Sequence, residues 1–340
     1  MKFLLTIIQA AGLGCASAAA GRRVLHYLQL ESYQLPGYVK SVRRNAMRAL
    51  IPPIAMAAVG VAALRLSGLT GLALLLEALT AALLVWQAAK EKAKKPFVAT
   101  ERVKRLLAVH AVVNTVLALA LLTVSPVLGY LMPAFEPALL MLAALIAAPM
   151  EKHIAGQFVK DAQARLAAQP GLIKIGITGS YGKTSTKFLL RDILSVKYNV
   201  LATPSSFNTP MGVTRVIREQ LTPAHQVFIA EMGARHVGDI RELVELVHPQ
   251  MGLITSVGPQ HLDTFGTIER VRDTKYELIE GLPKDGTAVF ARDGAICETL
   301  FERCPLERKY KPGMLVDAKN VACGPWGTRF TLTDVQTGEE

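Results

Sequence analysis

Residues Gly171–Lys187 read GLIKIGITGSYGKTSTK, and this stretch decides the fold of the second half of the chain. Leu172–Ile177 is a short β-branched run of the kind that forms a buried parallel strand. The turn Gly179-Ser180-Tyr181-Gly182 follows, and Lys183-Thr184-Ser185-Thr186 opens a run with helical spacing. Strand, glycine-punctuated turn and a helix opening on Lys-Thr spell a phosphate-binding loop. Glycines let backbone N–H groups converge on phosphate oxygens, and the helix N-terminus adds a favourable dipole. Lys183 is expected at the β/γ-phosphates of ATP and Thr184 at Mg²⁺, with Gly179, Ser180, Gly182 and Ser185 around the nucleotide. The pattern departs from G-x-x-x-x-G-K-[ST] once, because Ile177 takes the place of its first glycine. A glycine turn with a surface lysine is the plain alternative. The flanking strand and helix favour nucleotide binding.

Composition divides the 340 residues in two. Hydrophobic residues make up 51% of the chain, and the excess lies before about Met150. The net charge of +11 comes largely from clusters between apolar runs, which orient membrane helices more often than they bind DNA. No nucleic-acid motif is present, so nucleic acid is not expected as a partner. Cys15, Cys297, Cys304 and Cys323 lack paired zinc spacing and read as reduced thiols, with no metal site.

Phe3–Ala20 is apolar and about one membrane crossing long. Its small-residue end also fits a cleaved signal peptide, but Arg22-Arg23 and Arg43-Arg44 would then face outward. Further apolar runs cover Ala49–Leu66, Leu69–Ala89, Leu106–Leu122 and Val124–Met150. Pro133 and Pro137 break the last one, so its crossing is expected from about Pro137, with Ser125–Glu136 as an outer loop. Pro52-Pro53 weakens the second run and leaves a four-helix variant open. The first connection holds Arg22, Arg23, Lys40, Arg43, Arg44 and Arg48. The third holds Lys90, Lys92, Lys94, Lys95, Arg102, Lys104 and Arg105. The second has only Arg65 near it, and the fourth has no lysine or arginine. The positive-inside bias therefore predicts about five transmembrane helices in the plasma membrane, N-terminus outside, with everything after Met150 in the cytosol. Glu77 is an intramembrane carboxylate, read as satisfied inside the bundle or near an interface rather than as a functional group. Arg102–Arg105 suit the anionic inner leaflet, which makes membrane lipids a partner.

The expected domains are a helical membrane domain at 1–150, a helical stalk at 151–170 that Pro170-Gly171 stops, and an ATP-binding domain at 171–340. Beyond the phosphate loop, strands are expected at Asn199–Ala202, Gln226–Glu231, Met251–Ser256, Thr287–Ala291 and Thr328–Thr333. Helices are expected near 188–197, 210–219, 236–247 and 268–282. This alternation predicts an α/β doubly wound, mostly parallel sheet with ligands at the strand carboxyl ends. Glu231 closes an apolar strand as a metal-binding carboxylate would. His261 lies just past the fourth strand, and Lys275 in the following helix reads by spacing alone as a surface lysine.

Four ordered motifs carry a resemblance: TGSYGKTS (178–185), SSFNTPMGVTRVI (205–217), EMGARHVGDI (231–240) and GPQHLDTFGTIERVRDTKYELIEGL (258–282). Together they resemble the central ATPase domain of the Mur ligase family, in its D-alanyl-D-alanine-adding branch. The resemblance covers about Ile173–Asp293. It implies an ATP-dependent acid–amino-acid ligase of peptidoglycan synthesis. Such an enzyme activates a carboxylate of a UDP-linked or lipid-linked muramoyl-peptide as an acyl phosphate for an amine such as D-Ala-D-Ala. It further implies Lys183 on the β/γ-phosphates, Thr184 and Glu231 on Mg²⁺, His261 on a second Mg²⁺, and Lys275 as a carbamylated metal ligand. Asn208 and Thr209 match the loop near phosphates and substrate. Membrane helices replace the family's UDP-sugar domain. Ala291 stands where the nucleotide-base motif has asparagine, leaving Asp293. The family's third, amine-binding domain is expected to be absent here, so this stretch is expected not to complete ligation. The reading from another class is an ATP-driven membrane transporter or sensor.

Overall fold

The computed structural model describes residues 2–91, 95–205 and 207–339, in two compact units that divide between Ile154 and Ala155. Lys92 and Lys94 of the third connection lie outside the described residues.

The first unit is helical: α1 (Lys2–Ala20), α2 (Arg22–Leu30), α3 (Leu35–Arg44), α4 (Ala46–Ser67), α5 (Thr70–Lys90), α6 (Glu101–Val124), α7 (Pro126–Leu131), a 3₁₀ turn at Met132–Phe135, and the start of α8 (Glu136–Ala167). Five segments are long and apolar enough to cross a membrane: Phe3–Ala20, α4, α5, α6 and Pro126–Ala167. The prolines do not break α4, so the four-helix variant has no support. Pro52 removes the N–H that would bond the carbonyl of Arg48, and Arg23 Nη1 donates to that carbonyl instead, at 3.2 Å. The first connection, expected only as a basic link, is two amphipathic helices. They bury Val24, Leu25, Leu28 and Tyr38 against Val103, Leu106, Leu140 and Ala143.

Ser125–Glu136 is not a loop. It folds as α7 and the 3₁₀ turn, with Tyr130 and Met132 buried. Glu136 is buried too, accepting from Ser17 Oγ at 2.7 Å and Asn114 Nδ2 at 3.3 Å, with His110 Nε2 at 2.9 Å. Gly21 permits this approach, since a Cβ there would stand 2.2 Å from Glu136 Oε1. α1 and α6 thus supply two donors to Glu136 Oε2, while Oε1 lies beside His110 without a hydrogen bond among the described residues. Glu77 is buried against Gly60, and neither of its oxygens has a hydrogen-bond partner among the described residues. The satisfied glutamate expected there is not found.

The second unit begins inside α8, so the expected stalk from Ala155 onward lies in it. Ala162 and Leu166 pack with the sheet domain, and Asp161 pairs with Arg218 at 2.7 Å. The elements that follow are β1 (Ile173–Thr178), α9 (Lys183–Leu194), β2 (Val200–Ala202), α10 (Pro210–Gln220), β3 (Val227–Glu231), α11 (Asp239–Val247), β4 (Met251–Ile254), α12 (Leu262–Phe265), α13 (Ile268–Glu280), β5 (Thr287–Phe290), α14 (Gly294–Arg303), β6 (Arg308–Tyr310), β7 (Val316–Gly324) and β8 (Gly327–Asp334). The first six strands form a parallel sheet in the order β2-β3-β1-β4-β5-β6, and β7 and β8 pair antiparallel.

Alternation along the strands sorts the two cores. Ile175, Ile177, Val227 and Ile229 face Leu190 and Leu194 of α9. Phe228, Ala230 and Ile254 face the larger cluster with Val213, Leu243, Leu278 and Leu300. Threonine side chains cap two helix starts, Thr209 accepting from Gly212 N and Thr267 from Arg270 N, each filling an orphan donor. β1 is central, with β3 and β4 on its flanks. The residues that leave its carboxyl end therefore stand between two neighbouring strand ends. The placement of the expected elements holds to within a few residues. Strands β6 and β7 and helices α12 and α14 are additions.

Candidate active site

The phosphate loop starts two residues later than its motif suggests. Ile177 is fully buried in β1, paired in register with Glu231 and Leu253, so a glycine is not needed there. The turn begins at Gly179, whose φ of +147° suits glycine. A Cβ at Gly179 would stand 2.1 Å from Thr255 Oγ1. The β4 loop grips the turn. Ser180 N donates to Ser256 O (2.8 Å), Tyr181 N to Ser256 Oγ (2.7 Å) and Thr255 Oγ1 to Tyr181 O (2.6 Å). Two of the loop's amides are thus committed to holding its shape. Thr186 N makes the first intrahelical bond, to Gly182 O. The N–H groups of Gly182, Lys183, Thr184 and Ser185 are then the orphan donors of α9, and Thr184 and Ser185 are exposed. This is an anion cradle.

Lys183 folds back on the loop, donating to Gly179 O at 2.5 Å and Ser180 O at 3.1 Å. Burial lowers its pKa against the opposing pull of Glu231. An ammonium parked on two carbonyls next to orphan amides can transfer to a phosphate.

Glu231, at the end of β3, is the hub. Its Oε2 accepts from Thr184 Oγ1 at 2.9 Å and Lys187 Nζ at 2.9 Å, and its Oε1 accepts from Asn208 Nδ2 at 3.0 Å. Its backbone N–H donates to Thr203 Oγ1 at 3.1 Å. Burial pushes the carboxyl up, but the bonds from Lys187, Asn208 and Thr184 outweigh it and hold the pKa below its ordinary value. Lys187 is itself fully buried and also donates to Ser205 O at 2.7 Å. Sequence reasoning passed over Lys187 and Thr203. The signal was available: a carboxylate closing an all-buried strand needs a counter-charge, and Lys187 lies one turn beyond Lys183 on α9.

A carboxylate offers about four lone-pair positions, and three of Glu231's are taken. Thr184 gives its proton to Glu231, so its remaining oxygen lone pairs are free for a cation. These residues fit a Mg²⁺ held through Thr184 and one free position of Glu231, with phosphate oxygens and water completing the shell, as that ion prefers. Among the described residues no cluster of three His, Cys, Asp or Glu could hold a metal.

The remaining expected residues divide. Lys275 on α13 is buried, against its reading by spacing as a surface lysine. Its Nζ makes no hydrogen bond or ion pair to a described residue, and burial, then repulsion from Lys183, lowers its pKa to about 8. His261 precedes α12 with φ +55° and is exposed. Burial and the charges of Arg235 and Lys275 lower its pKa. Asn208 belongs to the hub, whereas Thr209 spends its hydroxyl as the cap of α10. Asp293 is exposed before α14, beyond β5, two strands away from β1. No side-chain bond ties it to the loop.

Residues 177–339 match the family described as Mur ligase middle domain. This part of the chain is similar to the Mur ligase family. The chain is 39% identical over 129 residues to the UDP-N-acetylmuramoyl-tripeptide–D-alanyl-D-alanine ligase of Synechocystis sp., covering 38% of this chain and 28% of that protein. The enzyme of that name from Mycobacterium tuberculosis is 42% identical over 123 residues, covering 36% and 24%. That of Escherichia coli K12 is 31% identical over 158 residues, covering 44% and 35%. The chain therefore spans about a third or less of the length of these relatives, and the residues that match the family model include Lys183, Glu231 and Lys275.

Proposed function

We propose that this protein is a membrane-anchored, ATP-dependent ligase that joins an amine to a carboxylate of a peptidoglycan precursor. The substrates are a UDP-linked or lipid-linked muramoyl-peptide and an amine such as D-Ala-D-Ala. The convergence of Thr184, Lys187 and Asn208 on Glu231 beside the Lys183 loop carries this reading, because it builds a charge-neutralising site at the end of the central strand. Five apolar helices and their basic connections support the plasma-membrane location, with the ATP site on the cytosolic side.

In this reading a substrate carboxylate oxygen attacks the γ-phosphorus of ATP and ADP leaves, giving an acyl phosphate. The amine nitrogen then attacks the acyl carbon, phosphate departs, and the amine gives up its proton. Mg²⁺ supplies charge neutralisation on the phosphates. The chain supplies the orphan amides of α9, the ammonium of Lys183 and the positioning of Thr184 by Glu231. Lys275 suits carbamylation, since only the neutral amine reacts with CO₂ and the resulting carbamate is an anionic oxygen donor. Its lowered pKa leaves about half of it neutral at pH 8, against well under about 1% of an ordinary lysine. At fixed dissolved CO₂, the initial rate of carbamate formation on Lys275, trapped and read by peptide mass, follows the neutral amine and is expected to rise about tenfold per pH unit below 8 and level off above it. A rise continuing to pH 10 or beyond would count against the assignment.

The functional test is phosphate release from Mg-ATP by detergent-extracted protein, with and without UDP-muramoyl-tripeptide plus D-Ala-D-Ala. It is run on this chain and on one extended through the downstream coding sequence. Turnover that requires both substrates is the expected result. Turnover indifferent to them, still dependent on Lys183, would transfer the reading to an ATP-driven transporter or sensor.

A further inference from the structure

The first unit holds a cavity of about 320 Å³ that the ligase chemistry does not use. Its wall is apolar, formed by Leu35 of α3, Leu106 of α6 and Ala144 and Ala147 of α8, and its rim carries Tyr33 and Arg102. Glu151 also lines it, but that carboxylate is already answered. Arg105 donates to both its oxygens, at 2.7 and 2.9 Å. Arg102 is left with surplus charge. Its Nε lies 3.6 Å from Glu151 Oε2, its guanidinium stacks 3.9 Å above the Tyr33 ring, and its side chain donates no hydrogen bond to a described residue. Tyr33 is held there by a strained turn, with φ +53° at Ser32 and +64° at Tyr33. The N-terminus of α3 ends on the same rim at Gln34 and Leu35, without a side-chain cap.

The guanidinium is a planar fork of donors, of the kind that selects phosphate, and only its long 3.6 Å contact with Glu151 competes for it. The apolar wall behind it runs along α6 and α8, two of the segments able to cross a membrane. The volume is at the low end of the roughly 300–1,000 Å³ of ligand sites, which suits one phosphate and the start of one chain rather than a two-chain glycerolipid. We propose that this cavity binds the phosphate of a single-chain lipid, with the phosphate on Arg102 and the chain against Leu106 and Ala147. The proposal rests on the membrane reading above and names a lipid class for it.

The test is native mass spectrometry of the detergent-extracted full chain with farnesyl phosphate as probe. Farnesol serves as the uncharged control and phosphatidylglycerol as the two-chain anionic competitor. One farnesyl phosphate per chain is expected, preferred at least tenfold over both. Arg102→Gln should lose at least tenfold of that binding. Ala148→Trp, which fills the cavity from an exposed lining position and leaves Arg102 in place, should lose it as well. Arg43→Gln, an exposed basic residue of α3 outside the cavity, should keep it. Equal uptake of farnesol or phosphatidylglycerol, retention by both cavity variants, or no adduct at all would overturn the proposal. Recovery of the wild-type chain in the membrane fraction is scored separately, so that failure of the membrane reading is told apart from failure of the lipid site.

Discussion

Replacing Lys187 with alanine is expected to destabilise the sheet domain by about 3–5 kcal/mol, the range for breaking one partner out of a buried ion pair. Both groups are out of water, Lys187 at 0% and Glu231 at 1% exposure. Removal of the ammonium leaves a buried carboxylate held by Thr184 and Asn208 alone. The reading should come from hydrogen exchange of β3 amides, which reports this domain and not the helical unit. Lys187→Met combined with Glu231→Gln removes both charges and should recover at least about 2 kcal/mol, because the penalty belongs to the unpaired charge more than to the pair. A loss under about 0.5 kcal/mol in Lys187→Ala would show that Glu231 is not buried as described.

Lys183→Ala should behave oppositely, although it lies only four residues earlier on the same helix. Its bonds are to two loop carbonyls, and burial makes its charge a cost to the free protein. Stability should therefore change by less than about 1 kcal/mol, as for side chains outside a satisfied buried network. Phosphate release should fall by about 10²–10³-fold or more, the loss seen when one donor to a developing oxyanion is removed. Turnover of Lys183→Ala within a factor of about three of wild type would end the phosphate-binding role of this loop. The two variants together separate a lysine that acts on substrate from one that holds the site.

The contrast shows how far the residues alone could be read. Gly179-Ser180-Tyr181-Gly182 and Lys183-Thr184 announced the loop because its requirements are local: positive φ, free amides and a helix start. Glu231 was legible for a similar reason, since a carboxylate closing an apolar strand has few uses. Lys187 was not legible. Its role depends on α9 lying across β3, which no spacing within GKTSTK states. Lys275 was legible only through the resemblance: helical spacing made it a surface residue, and only packing of α13 on the sheet buries its amine and lowers its pKa to about 8. Thr209, expected near the substrate, is used as a helix cap, because the nearest unsatisfied N–H is that of Gly212.

The helical unit shows the same division. Length and hydropathy determined five apolar segments, since burial in lipid is a property of composition that each segment carries by itself. Whether Ser125–Glu136 lay outside them was a question of partners. Ser17, His110 and Asn114 come from helices distant in sequence, and together they draw Glu136 inside. By itself the sequence determined the apolar segments, most strands and helices of the sheet domain in their order, and the nucleotide loop, all set by local periodicity and turn chemistry. The tertiary structure decided which charges are paired, which lysine has its pKa lowered by burial and which polar side chains are buried, because those depend on the electrostatics of residues that meet only when the chain is packed.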